Sequence, residues 1–86
     1  MTPRAYEIVA ALSVFETLRL MRRPDRRPIE AFLATLVIRP DLSGDFQAPG
    51  EDGRAHKVKV IGRWMLSYWI DHGAHEIRLT NLELID

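Results

Sequence analysis

Eighty-six residues, against the roughly 100 to 200 usual for one domain, are expected to form a single small domain over residues 1–86 with one core. Twelve basic and twelve acidic side chains cancel, so no global basic balance announces nucleic acid, and 47% apolar with 28% charged residues is a globular composition rather than a disordered or collagen-like one. The absence of cysteine excludes disulfide frameworks, thiolate zinc sites and cysteine nucleophiles, and it suits a reducing cytosol and a cytoplasmic location.

Ile8, Leu12, Phe15 and Leu18 follow a helical stripe, while Ala5 to Ala11 equally fit a short strand with Ser13 as N-cap of the helix after it; the expectation is strand, then helix. The apolar run Ile8 to Leu12 is far shorter than the ~20 residues that cross a bilayer, and no cationic start leads into a long apolar stretch, so neither a membrane span nor a secretion signal is expected. Arg22-Arg23-Pro24-Asp25-Arg26-Arg27-Pro28 predicts the corner of a helical hairpin. Pro28 then fits the first position of a second helix, in which Ile29, Phe32, Leu33, Leu36 and Val37 share one face and which Pro40 ends. Arg39 to Arg54, with Pro40, Gly44, Pro49, Gly50 and Gly53, reads as one long loop.

Beyond the loop the apolar period becomes two. Strands are predicted over Ala55 to Ile61, Trp64 to Asp71 and Glu76 to Ile85, joined at Gly62-Arg63 and His72-Gly73-Ala74-His75, with a bulge near Asn81. The expected fold class is therefore α+β, an N-terminal strand and helical hairpin packed on an antiparallel sheet. The helices should cover Val58, Val60, Leu66, Tyr68, Ile70, Ile77 and Leu79. The opposite face should then collect Lys57, Lys59, Met65, Ser67, Trp69, Arg78 and Thr80. Such a surface can hold a phosphate backbone while a base stacks on the indole; a solvated or partner-covered face is the plainer alternative.

Charge is uneven along the chain. Residues 1–39 hold seven arginines and four acids, residues 40–86 five bases and eight acids, and both lysines lie in Lys57-Val58-Lys59. Arg22, Arg23, Arg26 and Arg27 could meet phosphate or an acidic partner segment, or simply face solvent. His72 and His75 have no evident third metal ligand, so no metal is expected. Glu51 or Asp52 could act as a base only if the loop folds back onto the sheet. Glycine-rich phosphate loops, His-Glu-x-x-His and Gly-x-Ser-x-Gly are absent.

In order and spacing, the chain resembles the RelE/ParE superfamily of small bacterial toxins from type II toxin-antitoxin systems. The resemblance is carried by Tyr6-Glu7-Ile8-Val9 as opening strand, Ile29 to Pro40 as second helix, Leu42-Ser43-Gly44 at the loop, and His56-Lys57-Val58-Lys59-Val60. After Gly62, Trp64-Met65-Leu66-Ser67-Tyr68 looks like the family's Gly-Tyr-Arg-x-x-Tyr strand. The resemblance implies a RelE-like two-layer fold, a cognate antitoxin partner, no cofactor, and an mRNA interferase: a translation repressor cleaving mRNA on the ribosome as a metal-independent endoribonuclease. The resemblance gives Lys57 and Lys59 the role of neutralising the scissile phosphate; a nuclease of this chain would use Lys57, Lys59, Arg63 and Arg78 as catalytic residues, with Trp69, Ser67, Arg22, Arg23, Arg26 and Arg27 binding nucleic acid or the partner.

The departures are specific. The family's middle-strand arginine falls on Met65, and Arg63 is displaced by nearly ~7 Å along the strand. The family's C-terminal Arg and Tyr, or His-Tyr, have no counterpart up to Asp86. A second expectation is therefore a non-nuclease binding protein of the same fold, either a ParE-like gyrase inhibitor or a degenerate toxin that binds an antitoxin.

Overall fold

The computed structural model describes residues 5–42, 44–50 and 52–85. Strand β1 (Glu7–Ala10) leads into helices α1 (Leu12–Leu20) and α2 (Arg23–Ile38), followed by β2 (Phe46–Pro49), β3 (Ala55–Ile61), β4 (Trp64–Asp71) and β5 (Glu76–Leu84). The strands form one sheet in the order β1-β5-β4-β3-β2. Strand β1 runs parallel to β5, and the remaining pairs are antiparallel. The α+β class and the three-stranded meander follow the expectation from sequence.

Several local boundaries differ. Ala11, not Ser13, is the N-cap of α1, in extended geometry (φ −58°, ψ 148°) and without a side-chain cap. Helix α2 begins at Arg23 rather than Pro28, so the corner shrinks to Met21 and Arg22. Pro24 occupies the first turn, where its missing N–H has no partner to lose, and Pro28 lies inside the helix. The amide missing at Pro28 would have bonded the Pro24 carbonyl, so the lost bond lies at the helix start. Asp25 in the first turn favours that start electrostatically. Within the supposed long loop, β2 pairs Phe46 with Val58 and Pro49 with Ala55, forming the sheet edge where a proline is tolerated.

The core lies between helices and sheet. Val14 and Met21 of the first helical segment, Ile29 and Leu36 of α2, and Leu66, Tyr68, Ile77, Leu79 and Leu82 of the sheet are buried together. Ser67 pairs with Asn81 but Tyr68 with Leu79, which leaves Thr80 as the extra residue of a bulge. The bulge lets Leu79 and Leu82, three apart, both turn to the helices.

The hairpin β3–β4 overturns one expectation. Gly62, at φ 62°, and Arg63 form a two-residue turn, which pairs Ile61 with Trp64. Lys59 then stands opposite Leu66, and Lys57 opposite Tyr68. Residues directly opposite share a face, so both lysines are on the helix side. Val58 and Val60 are on the other side: Val58 is buried outside the helix-side core and Val60 is exposed. Leu66, Tyr68, Ile77 and Leu79 face the helices as expected, and Ile70 packs against their cluster.

Candidate functional site

The residues singled out from sequence fall into three places. On the helix side, Lys57 and Lys59 reach the segment that follows α2. Lys57 Nζ donates to the Leu42 carbonyl at 3.4 Å. Lys59 Nζ lies 3.3 Å from Asp45 Oδ1 and 5.8 Å from the Phe32 ring centroid. Asp45 also accepts the Val60 backbone N–H at 2.6 Å, and that bond, with the Lys59 ammonium, holds its carboxyl below the usual carboxylate range. The loop reaches β3 this closely because position 44 is glycine: a Cβ there would sit 2.8 Å from the Val58 carbonyl oxygen. Beneath the lysines, Tyr68 is fully buried with its ring 5.9 Å from that of Phe32 and its hydroxyl unpartnered. Burial, with the Asp45 carboxylate, pushes the phenol above its ordinary value, so an unused O–H donor remains there.

The helix-free face holds the second group, Ser67, Trp69, Arg78 and Thr80, but without the lysines. In their place is His56, 8% exposed, which sequence reasoning assigned no role. Its position was recoverable from the two-residue turn, which puts His56 and Val58 on the face of Ser67 and Trp69. His56 Nε2 lies 3.2 Å from Asp52 Oδ1 and Nδ1 lies 3.1 Å from Thr80 Oγ1, while Thr80 Oγ1 donates to the Ser67 carbonyl at 3.2 Å. Thr80 Oγ1 thus lies between the His56 ring and the Ser67 carbonyl, and which of Nδ1 and Oγ1 donates to the other follows from the tautomer.

Asp52 does fold back onto the sheet, as a catalytic loop acid would have to; Glu51 and Ser43 lie outside the described residues. The Arg54 backbone N–H, aided by the His56 and Arg54 charges, holds the Asp52 carboxyl below its ordinary value. The Arg54 guanidinium, 3.4 Å from Asp52, caps the Trp69 ring with Cζ 4.0 Å from its centroid. Arg78 lies 5.7 Å from the same ring and bonds Glu76 at 2.7 Å. Arg54 thus makes an intramolecular cation–π contact with the Trp69 ring. Alongside, Gly50, Asp52, His56, Ser67, Asn81 and Glu83 line an open cavity of about 550 Å³.

The third place is the helix corner and the turn below it. Arg63 Nη2 pairs with Asp25 Oδ2 at 2.9 Å, tying the β3–β4 turn to the start of α2 rather than joining the lysines. That hydrogen bond leads the effects that lower the Asp25 carboxyl. Arg26 faces Glu30 at 3.7 Å, whereas Arg22, Arg23 and Arg27 are exposed and make no ion pair among the described residues. His72 and His75 surround Tyr6: its hydroxyl lies 2.8 Å from His72 Nδ1, and its ring is 4.8 Å from that of His75. Among the described residues no group of three histidines or acids could hold a metal ion.

Asp25, Asp45 and Asp52 all ionise more readily folded than unfolded. Their contribution is complete above the unfolded value of about 3.9 and lost as pH falls through the lowered folded values. Chemical unfolding followed from pH 6 to pH 2 should therefore show stability falling in the acid range. Asp45→Asn should flatten that fall; an unchanged profile would remove Asp45 from the linkage.

No model of a known protein family and no curated relative matches the chain. Among solved structures, the crystal structure of an archaeal RelE-RelB complex from Pyrococcus horikoshii OT3 contains a similar chain. The TM-score is 0.76 at 14% sequence identity, over 94% of this chain and 96% of that one. The fold is RelE-like. This RelE-like chain keeps the strand, helical hairpin and meander of that architecture with few of the same side chains. Among its described residues, no helix is long and apolar enough to cross a membrane.

Proposed function

We propose that this chain is the toxin-fold member of a type II toxin-antitoxin pair and acts by binding a partner protein rather than by cutting mRNA. The observation that carries this reading is the register of the β3–β4 hairpin. Met65, where the family's arginine falls, stands opposite Val60 on the helix-free face, while Lys57 and Lys59 stand on the helix face. Even an arginine at position 65 would be separated from the lysines by the sheet. The cations also lack freedom: Lys59, Arg63 and Arg78 each bond an internal carboxylate, and Lys57 a carbonyl. Charge stabilisation of a scissile phosphate requires donors that are preorganised and available.

The RelE-RelB complex supports the partner, since a chain of that fold is found there in a protein complex. A second reading, ribosome-dependent cleavage, is favoured by one feature alone: Lys57 and Lys59 share a face of the sheet with Tyr68, whose hydroxyl is buried and unpartnered. Induced expression in a bacterial host, with growth, DNA-damage response and cut ends on a translated reporter mRNA followed together, separates them. The expected result is intact reporter mRNA from the native chain and from Lys57→Ala with Lys59→Ala alike. Cuts that need translation and disappear in the double variant would establish the nuclease instead.

A further inference from the structure

We propose that Thr80, His56 and Asp52 form a hydroxyl–imidazole–carboxylate relay on the helix-free face, and that it hydrolyses small neutral esters through an acyl-Thr80 intermediate. The inference goes beyond the partner-binding reading and does not rest on it. The three groups come from three places in the chain: Asp52 from the loop between β2 and β3, His56 from β3 and Thr80 from β5. A strand ordinarily sends successive side chains to opposite faces, but the bulge at Thr80 suspends that alternation. Asn81 stands opposite Ser67 on the helix-free face, and Thr80 reaches His56 on the same face. The hydroxyl is thereby added beside the amide while Leu79 and Leu82 both stay buried. The loop closes onto the imidazole at Gly50, where a Cβ would collide with the ring.

The carboxylate fixes the proton pattern. Asp52 is held below its ordinary value and is ionised at neutral pH, so it only accepts hydrogen bonds. The ring proton is then on Nε2, 3.2 Å away. In the neutral imidazole this leaves Nδ1 bare, 3.1 Å from Thr80 Oγ1, to accept the hydroxyl proton. A hydroxyl against a base that a third group orients is the arrangement that activates an oxygen nucleophile, and it is recognised by geometry rather than by residue order. When Thr80 Oγ1 attacks an ester carbonyl, the new C–O bond forms as the hydroxyl proton passes to Nδ1. The bond to the alcohol then breaks, and Nδ1 returns the proton to the leaving oxygen. Water repeats both steps on acyl-Thr80, releasing the acid and restoring the hydroxyl. One of the two Asn81 amide N–H donors is used on Glu83, and the other is of the kind that stabilises a tetrahedral oxyanion. The relay opens on the cavity of about 550 Å³, a size within the roughly 300–1,000 Å³ of small-molecule sites. Its walls carry the carboxylates of Asp52 and Glu83, the apolar Ala48 and Pro49, and no lysine or arginine among the described residues. An anionic substrate, a phosphate backbone included, is repelled there; a small neutral ester is not.

The test incubates the full-length chain with para-nitrophenyl acetate, reads nitrophenolate release, and maps acetyl groups on peptides from acid-quenched samples. Tryptic cleavage after Arg78 isolates residues 79–86, in which Thr80 carries the sole hydroxyl. The expected result is an acetyl group on that peptide. Release should fall about a hundredfold in Thr80→Val, the scale of general-base assistance, and Thr80→Ser, which keeps the hydroxyl, should restore release and acetylation. Asp52 acts through His56 as a positioning residue, so Asp52→Asn should lower kcat about tenfold or more with KM unchanged. Acetylation is read on the native chain, so the outcome does not depend on how well the variants fold. No acetyl group on residues 79–86, acetylation confined to Lys57, Lys59, Ser67 or His72, release undiminished in Thr80→Val, or an unchanged kcat in Asp52→Asn would each overturn the proposal.

Discussion

Tyr68→Ala should remove a large share of the chain's stability, whereas Tyr68→Phe should make it more stable than the native protein. Tyr68 is fully buried at the centre of β4, against Phe32 and opposite both Lys57 and Leu79. Removing a buried aromatic ring costs about 3–5 kcal/mol. A chain of 86 residues has roughly 4–13 kcal/mol in total at typical per-residue stability. The hydroxyl works in the opposite direction. It is buried without a partner, a condition that costs about 1–3 kcal/mol, so phenylalanine keeps the packing and removes the penalty. Thermal unfolding should show the Phe variant's midpoint raised by roughly 4–8 °C per kcal/mol regained. A lowered midpoint would mean that the hydroxyl is satisfied in solution, and the lysine rim would then contain a bound water or ligand.

The second large effect is expected at Gly50. An alanine Cβ there would stand 2.4 Å from His56 Nε2 and 2.6 Å from Cε1. The imidazole cannot yield freely, because it is buried and held at both nitrogens by Asp52 and Thr80. Gly50→Ala should therefore cost about 1–3 kcal/mol, the usual range for overpacking a filled site. It should also shift the His56 ring resonances and let the Asp52 carboxyl rise toward its ordinary value as the imidazole moves away. Adding His56→Ala to Gly50→Ala should recover most of the Gly50 effect, since the two positions are in contact and their energies couple. If the double variant is as unstable as the sum of the single ones, the collision is not what makes glycine necessary.

Both positions mark the limit of what a linear pattern conveys. The inner face of α2 was legible because Ile29, Phe32, Leu33, Leu36 and Val37 repeat at helical spacing, and Ile29 and Leu36 are indeed fully buried. The meander was legible because alternation and two turn segments bound each strand. The start of α2 was not, because Pro28 signals a boundary locally while one lost hydrogen bond at a helix start is tolerated. Strand β2 was hidden among prolines and glycines because its pairing with β3 depends on a partner strand rather than on its own composition.

The candidate sites divide in the same way. That Lys57 and Lys59 share a face, and that Ser67 and Trp69 share a face, follows from the period of two alone. Whether those faces coincide depends on the number of residues in the turn between the strands, and one residue more or less exchanges them. Val58 and Val60 looked like the core side of β3 because they are apolar. Tertiary structure put Val58 on the helix-free face beside Phe46 of β2 instead and gave the helix side of that strand to the lysines. Helix periodicity and the positions of the strand turns are thus properties of the local chain, fixed by backbone sterics and composition. Which side of the sheet each functional group occupies, and which acid neutralises each cation, was decided only when strand register and loop closure brought distant residues together.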